Sequence, residues 1–594
     1  MRNFTESISF VLIFLFINYS YSQNAGDNLF DNSFLHQIQI TSSTAYADLP
    51  FNQTYVQANI NIDGDLVLNV GLRLKGNTSA SIDPKPLKID LNEYVDDQTF
   101  DGLKKFNLHN NYMDPSLMHE SLAYTADRRA GIAAPRVAYA QVMYNDEFLG
   151  VYSLVEQVDK TFLKENFADN DGDLYKGLDY IDDSGIDVEV KEGTMTNYLL
   201  FKDQATGDNL GDYLHLRNYY RYMATQMLIG DWDSYPYGRH NYYMYFEPTA
   251  QRFNFIPWDH NFAFEDETYE ILYPLEDVEF IANHDANKVV YQQTMCELIG
   301  YLLDTDFYYD LIDHNYDIIM TNTGGVTIDE NFIIMLKNYI VDRRNEFIDQ
   351  LALEGVTCDE FSYPYAIGDL VINEFVASND GADGGVLDPE GDDDDWIELY
   401  NNSSQDITLN HHFYLSNDKD FLKKWYFKED IVIPANGYVI VWADKDVNHS
   451  GPHSNFKIGA SGGELFLAYE DLTILDSVQY EEQTTNLGYA RVPNGTGNFI
   501  IQVFTYNANN ETLSLSENTL DNVKIFPNPN TGKLWINLGK PIQQVNIYDT
   551  VGKLALEVNS PAFPLNIEQL KTGLYFIQIK DNDGNIISKK LLKE

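Results

Sequence analysis

Cysteine is nearly absent from this chain: Cys296 and Cys358 are the two that occur. A disulfide-dense scaffold and a thiolate-built metal centre are therefore excluded as organising principles. Whether the two meet in one disulfide or stay as buried thiols is open from their spacing alone. Basic residues are scarce too, with 39 Lys and Arg against 91 Asp and Glu and a formal net charge of -52. A polyanion would be repelled, and no basic stripe offsets that field, so nucleic acid is excluded as a partner. Beyond residue 22 no window reaches the roughly 18 apolar residues that a membrane span requires, so no transmembrane segment is expected.

What is present begins with a secretory signal over residues 1–22. Arg2 precedes the apolar run Ile8 to Ile17, and Ser20, Tyr21 and Ser22 supply the small-residue end, which predicts cleavage before Gln23 and export.

From Gly26 to about Leu353 strand and helix patterns mix. Thr54 to Ile62 and Asp65 to Lys75 alternate as a strand pair around Asp63 and Gly64, and KGNTSAS follows. Gly76, Asn77, Thr78 and Ser79 are able to turn backbone N–H groups toward phosphate oxygens, although the loop taken alone reads as a plain turn. PLKIDL then sets Lys88 among apolar neighbours, either snorkelling to solvent or reaching phosphate. A helix is expected over SLMHESLAYTADRRAG, with Asp114 as its N-cap, Gly131 as its stop and Glu120 one turn in. A second strand pair, Arg136 to Tyr144 and Phe148 to Glu156, comes next.

The helix from Asp212 to Gly230 leads into GDWDSYPYGRHNYYMYFEPTAQRFNFIPWDHNFAF, where the candidate chemistry concentrates. Tyr242 to Phe246 and Phe253 to Trp258 read as a hairpin over the turn Glu247 to Arg252. Its return brings Asn241 and Asp259 to one end, with Asp231 and Asp233 just upstream. Two hard oxygen ligands beside an acid are what magnesium-assisted phosphoryl transfer requires; a solvated acidic turn is the plainer alternative. The order of elements is that of a two-lobed kinase, in which Lys88 would pair with Glu120 and Glu156 to Asp159 would form the hinge beside adenine.

RLKGNTS, KPLKIDL, KKFNLHNNYMDPSLM, FLGVYSLVEQVDKTFL, LYKG, GDWDSYPYGRHNYYMY and FNFIPWDHNFAF together resemble the CotH (spore coat protein H) family of atypical secreted kinases. The resemblance implies a kinase-like fold and ATP-dependent phosphorylation of Ser or Thr in secreted proteins, with Mg2+ or Mn2+. By position it makes Asp233 the residue that orients the acceptor hydroxyl and Asn241 and Asp259 the metal ligands, while Asp231 stands where Asn is expected and competes with Asp233 for the catalytic role. Lys88, Glu120, Glu156 and the loop Gly76, Asn77, Ser79 are the nucleotide-side candidates. Like the family, the chain lacks the G-x-G-x-x-G loop and the HRD and DFG strings of ordinary protein kinases.

Residues 366–506 change character, with many short strands at regular spacing and an acidic run at Asp392 to Asp395 that either binds calcium or is solvated. LVINEFVASN through GGELFLAYEDLTILDSVQY resembles the lamin-tail domain, an immunoglobulin-like sandwich that would serve as a binding or spacer module with Trp396 in its core. A polar linker, 507–522, precedes VKIFPNPNTGKLWINL, VNIYDTVGKLALE and LKTGLYFIQIKDNDGNIISKKLLKE, which over 523–594 resemble the C-terminal sorting domain of type IX secretion. The expected architecture is thus multi-domain: an α+β, atypical protein-kinase-like two-lobed domain (26–353), then two all-β immunoglobulin-like sandwiches. Its expected partners are a secreted or surface protein substrate and the type IX machinery, and its expected location the outer cell surface. The alternative from a different class is a surface adhesin on a non-catalytic kinase-like scaffold.

Overall fold

The structure is a computed structural model that describes residues 24–594 apart from 52–53, 77, 179–186, 267, 272–279, 282, 322–325, 359–361, 512–522, 539–540, 551 and 583–585. The signal segment, Asn77 and most of the expected linker lie outside the described residues. Residues up to Asn510 form one unit and Glu511–Glu594 a second.

Among the described residues, seven strands of the N-terminal region close into a barrel: β1 (His36–Ser42), β2 (Val56–Ile62), β3 (Asp65–Leu74), β4 (Leu87–Asp90), β5 (Lys105–His109), β6 (Val137–Tyr144) and β7 (Glu147–Glu156). Alternation drives it. Ile38 and Ile40 of β1, Ala58, Ile60 and Ile62 of β2, and Leu87 and Ile89 of β4 turn inward to one apolar core with Phe106, Leu108, Val142 and Leu154. Both hairpins expected from the sequence are there. Closure was not expected, because it depends on β1 pairing in parallel with β6 (His36↔Ala140 to Ile40↔Tyr144), a contact about a hundred residues apart in the chain that no local pattern encodes.

The expected helix after Asp114 starts later, as α1 (His119–Arg129). The Asp114 carboxylate instead accepts backbone N–H bonds from Ser116 (2.8 Å), Leu117 (3.1 Å) and His119 (2.8 Å), so it fixes the turn that feeds the helix. Gly131, at φ +84°, follows the last turn in the left-handed conformation that glycine takes most readily. Asp159 caps α2 (Lys160–Asn166) through the N–H groups of Thr161 (2.8 Å) and Phe162 (3.4 Å).

A second sheet runs in the order β11-β10-β8-β9, built from β8 (Asp173–Gly177), β9 (Val188–Glu192), β10 (Tyr242–Glu247) and β11 (Arg252–Pro257). It packs with α3 (Thr196–Gln204), α4 (Leu216–Leu228), α5 (Asp285–Ile299), α6 (Thr305–Met320) and α7 (Glu330–Leu353) around a helical core that includes Tyr222, Met223, Met227, Phe255, Leu298, Ile312 and Phe347. Buried Arg343 of α7 satisfies the C-terminal carbonyls of α4, donating to Met227 O at 2.6 Å and Leu228 O at 3.4 Å. The two cysteines pair: Cys296 on α5 and Cys358 beyond α7 are disulfide-bonded across a sequence separation of 62.

The next domain is a sandwich. Its larger sheet orders Tyr438–Trp442, Trp396–Asn401, Leu370–Val376, Leu487–Val492 and Asn498–Val503; its partner orders Trp425–Tyr426, Phe413–Ser416, Gly462–Tyr469 and Ile474–Glu481. The main core lies between them, with Ile372, Phe375, Leu399, Leu415 and Leu467. Trp396 is fully buried but in a small separate cluster with Val376 and Trp442, rather than in that main core. Asn507 and Asn510, expected in the linker, belong to this domain: Asn507 N–H donates to Glu398 at 2.6 Å and Asn510 Nδ2 to Asn373 O at 2.9 Å. The sandwich is sealed to the helical region by ion pairs, Arg128–Asp418 at 2.6 Å and Arg221–Glu470 at 2.6 Å among them. The C-terminal unit is a smaller all-β domain whose four-stranded sheet runs Leu554–Asn559, Ile542–Asp549, Gly573–Asp581 and Ile586–Lys593.

Candidate active site

The β10–β11 ladder pairs Tyr242 with Pro257, and one residue beyond its open end Trp258 N–H donates to the Asn241 carbonyl at 3.1 Å. Asn241 and Asp259 therefore sit in adjacent rows at the mouth of the hairpin. Both are left-handed, at φ +52° and +61°, a conformation that Asn and Asp tolerate better than other side-chain-bearing residues. The Asn241 amide donates to the Asp233 carboxylate at 2.9 Å and to its carbonyl at 3.2 Å, and His240 Nδ1 lies 3.1 Å from the other Asp233 oxygen. Asp233 keeps a quarter of its side chain in solvent.

Asp231, two residues earlier, is in a different environment. It is fully buried, 2.6 Å from His260 Nδ1, while His260 Nε2 lies 3.0 Å from Asp127. Burial favours the neutral ring, but the hydrogen bonds to Asp127 and Asp231 outweigh it and raise the imidazole to about 10. The Asp127–His260–Asp231 triad ties α1 to the hairpin's exit and leaves Asp231 no access to solvent.

Beside Asp259 lies a second group that the motifs did not single out. His109 Nδ1 is 2.6 Å from Glu120 Oε1, and Lys75 contacts His109 Nε2 and sits 4.8 Å over the Trp258 ring. One ligand atom each from His109, Glu120 and Asp259 falls within 4.8 Å of the other two, and the buried Glu120 Oε2 has no hydrogen-bond partner among the described residues. Burial raises the Glu120 carboxyl to about 7, against the pull of Lys75 and His260. Burial, with Lys75 alongside, also keeps His109 neutral by lowering it well below its ordinary value. The orphaned Glu120 oxygen and the Asp259 carboxylate form a pair of hard oxygen donors that fits a divalent cation, while both His109 nitrogens are engaged, by Glu120 and by Lys75.

The expected Lys88–Glu120 pair is not formed. Strand register sets Lys88 opposite Arg73, and its Nζ donates to Gln157 Oε1 at 2.6 Å; Lys75, two residues beyond Arg73, is the lysine on the Glu120 side. Burial, then the charges of Arg73, Lys105 and Lys75, lower Lys88 to about 7. Nor does Glu156 face a ligand: it is buried and grips Arg136 through 2.6 Å and 3.1 Å bonds, while Gln157, Val158 and Asp159 of the expected hinge do line the neighbouring cleft. Gly76 lines that cleft as well, at φ +75°, a left-handed conformation that glycine takes most readily.

The cleft has a volume of about 1270 Å³ and runs between the barrel and the second sheet. Nine Lys and Arg side chains line it, among them Arg73, Lys75, Lys88, Lys105 and Lys176, against five acids, Asp101, Asp159, Glu165, Glu189 and Glu192, and Tyr243 and Trp258 add aromatic surface. In a chain of net charge -52 this concentration of cations is the exception, and two of the lining residues adjoin the His109, Glu120 and Asp259 group, Lys75 through its contact with His109 and Trp258 as the chain neighbour of Asp259. Of the residues missed from sequence, Lys75 had a signal, since it directly precedes the glycine of the loop; His109, Asp127 and His260 had none, because each gains its role from a partner on another element.

Comparison with known proteins accounts for the divisions of the chain. Residues 72–323 match the family described as CotH kinase protein, residues 364–482 the Lamin Tail Domain, and residues 524–594 the Secretion system C-terminal sorting domain. Inner spore coat protein H of Bacillus subtilis is 26% identical over 191 residues, which is 28% of this chain and 51% of that protein. An endo-acting ulvan lyase of Formosa agariphila is 38% identical over 89 residues, 14% of this chain and 17% of the lyase. The chain thus spans about half the length of the first relative and a small part of the second. Among solved structures, PorZ of Porphyromonas gingivalis, a surface component of the type-IX secretion system, aligns over 35% of this chain and 38% of its own at 13% identity and a TM-score of 0.12, too low to transfer a fold. The chain thus carries a segment, residues 72–323, that is similar to the CotH kinase family, and a C-terminal sorting domain that indicates secretion to the cell surface. Among the described residues no helix is long and apolar enough to cross a membrane.

Proposed function

We propose that this chain is a CotH-type kinase that transfers phosphate from ATP to a Ser or Thr hydroxyl of a secreted or surface protein, its barrel and helical core acting as the two lobes of a kinase-like fold. The observation that carries the reading is a cation-rich cleft, in a strongly acidic protein, whose lining residues Lys75 and Trp258 adjoin a cluster of metal-competent side chains. Lys75, Lys88 and Arg73 neutralise polyphosphate oxygens along the wall, and Trp258 and Tyr243 offer apolar surface beside them.

Asp259 and Asn241, with Glu120 behind them, would hold Mg2+ or Mn2+, and the ion would supply charge neutralisation on the phosphates. Asp233 accepts the proton of the acceptor hydroxyl. Its carboxylate is a quarter exposed to solvent and fixed by Asn241 and His240, as a base in an open site must be. Asp231 does not share that role, because His260 occupies it and no solvent reaches it. Lys75 and His109 hold Glu120 in place, in the position first read for Lys88.

The purified chain should incorporate radiolabelled phosphate from ATP into itself or into co-secreted protein, and Asp259→Ala should abolish it. No incorporation across magnesium, manganese and a panel of protein acceptors, combined with no ATP-dependent thermal shift, would reject the reading in favour of a non-catalytic surface protein.

A further inference from the structure

We propose that the sandwich domain holds one zinc ion on Asp388, Glu390, His449 and His453, a site separate from the cleft. One ligand atom from each of the four lies within 4.8 Å of all the others. Two segments supply them: the Asp388-Pro389-Glu390 turn before the Trp396–Asn401 strand, and the His449-to-His453 loop after the Tyr438–Trp442 strand. Those two strands are paired neighbours, Trp396 opposite Trp442, so the sheet fixes the two loops side by side.

Two of the four are deeply buried and hold unsatisfied atoms. Asp388 is 5% exposed and His453 2%. The Asp388 Oδ1 atom accepts the N–H groups of Gly391 and Asp392 at 2.6 and 2.7 Å, which leaves Oδ2 with no hydrogen bond among the described residues and His449 Nδ1 3.5 Å away. His453 Nδ1 is 2.5 Å from Asp444 Oδ2, and Nε2 meets no hydrogen-bond partner among the described residues. A carboxylate on Nδ1 fixes the ring tautomer and directs the Nε2 lone pair outward, the arrangement that supports a metal-bound imidazole. A buried oxygen and a buried nitrogen, each lacking a partner, cost stability unless a cation satisfies them.

The other two ligands form the rim. Glu390 and His449 side chains are each 31% exposed, and Ser450 N–H holds one Glu390 oxygen at 3.2 Å. The rim is the entry path, and a modest closure of these two side chains brings the four atoms to tetrahedral spacing around bonds of about 2.0–2.2 Å. Two imidazoles and two carboxylates suit zinc; calcium requires six to eight oxygens. The acidic run Asp392 to Asp395 is not itself the ligand set. Asp392 contributes its backbone N–H to Asp388, and Asp394, close to Asp388 and Asp444, adds negative potential.

The test uses untagged full-length chain carrying Asp259→Asn, so that the cleft cluster does not contribute to the count. After dialysis against a chelator, zinc is added and measured per chain by plasma mass spectrometry, and affinity is measured by competition with a chromogenic chelator. One zinc per chain is expected. The rim change His449→Gln should weaken binding by at least tenfold while leaving the unfolding midpoint in chelator unchanged, and His453→Gln should remove binding. Failure to take up stoichiometric zinc, equal affinity in both variants, or selective uptake of calcium would each overturn the site. None of these outcomes bears on the phosphotransfer reading, which is assayed separately.

Discussion

Replacing Glu470 by Ala should undo the seal between the helical region and the sandwich. Glu470 Oε1 accepts from Arg221 (2.6 Å), Lys423 (2.5 Å) and Tyr301 (3.1 Å), and Oε2 from Tyr414 (2.5 Å) and Arg217 (3.0 Å). The Glu470 and Lys423 side chains are 0% exposed and Arg221 is 3% exposed. Removing the carboxylate leaves buried cations facing one another, and breaking a buried pair from one side costs about 3–5 kcal/mol. Three cations argue for the upper end. Two features pull the other way: Arg221 keeps Glu297 at 3.1 Å, and burial already disfavours the charged form of Lys423. A loss of about 4 kcal/mol is therefore expected in urea unfolding followed by tryptophan fluorescence, with faster proteolysis between the domains. Glu470→Gln should lose less, since it keeps an acceptor.

Burial opposes ionisation of Glu470, but Arg221 and Lys423 hold it well below 4.5, so its contribution is present above pH 4.5 and lost only as pH falls through the lower folded value. A Glu470→Ala loss under about 1 kcal/mol, with unchanged proteolysis, would refute the reasoning, because only a solvated cluster loses so little.

The two acids of the hairpin's approach should separate cleanly. Asp233→Asn should reduce phosphate transfer by roughly 10²–10⁴ without moving the unfolding midpoint, whereas Asp231→Asn should cost about 3 kcal/mol or more of stability by stranding charged His260; parallel kinase assays and denaturation curves distinguish them. His260, raised to about 10 against an ordinary 6.5, stabilises the fold fully below pH 6.5, and that contribution should drain away as pH rises toward 10, visible as a falling urea midpoint at pH 6, 8 and 10 that is shallower in Asp231→Asn. Reducing Cys296–Cys358, which closes 62 residues, should cost about 4 kcal/mol on the chain-entropy account, measured as a lower unfolding midpoint with reductant; no shift would mean that α5 and α7 hold the loop unaided.

Local pattern carried the elements of the site. The alternation of Tyr242 to Phe246 and Phe253 to Trp258 and the polar turn between them specify a hairpin, and a hairpin of that length places Asn241 and Asp259 at one end whatever surrounds it. The same logic located the barrel's hairpins, the many-stranded sandwich and the short strands of the C-terminal domain. Where reading the chain failed, the failure was one of long-range partners. Lys88 was matched to Glu120 by order along the chain, but strand register puts it opposite Arg73 and turns it to Gln157. Asp231 and Asp233 are alike in sequence, two acids around one tryptophan, and only His260 and Asp127, arriving from elsewhere, make one structural and leave the other open.

What the residues alone determined, then, is which segments become strands, hairpins and helices, and that this acidic, cysteine-poor chain is exported in separate domains. Only the tertiary structure decided barrel closure, the pairing of the cysteines, the gathering of scarce cations into one cleft, and the meeting of Asp388 with His453. Those outcomes depend on contacts between residues tens to hundreds of positions apart, whose energies come from burial and Coulomb interaction at short range; a periodicity read along the chain contains no information about which distant partner will supply them.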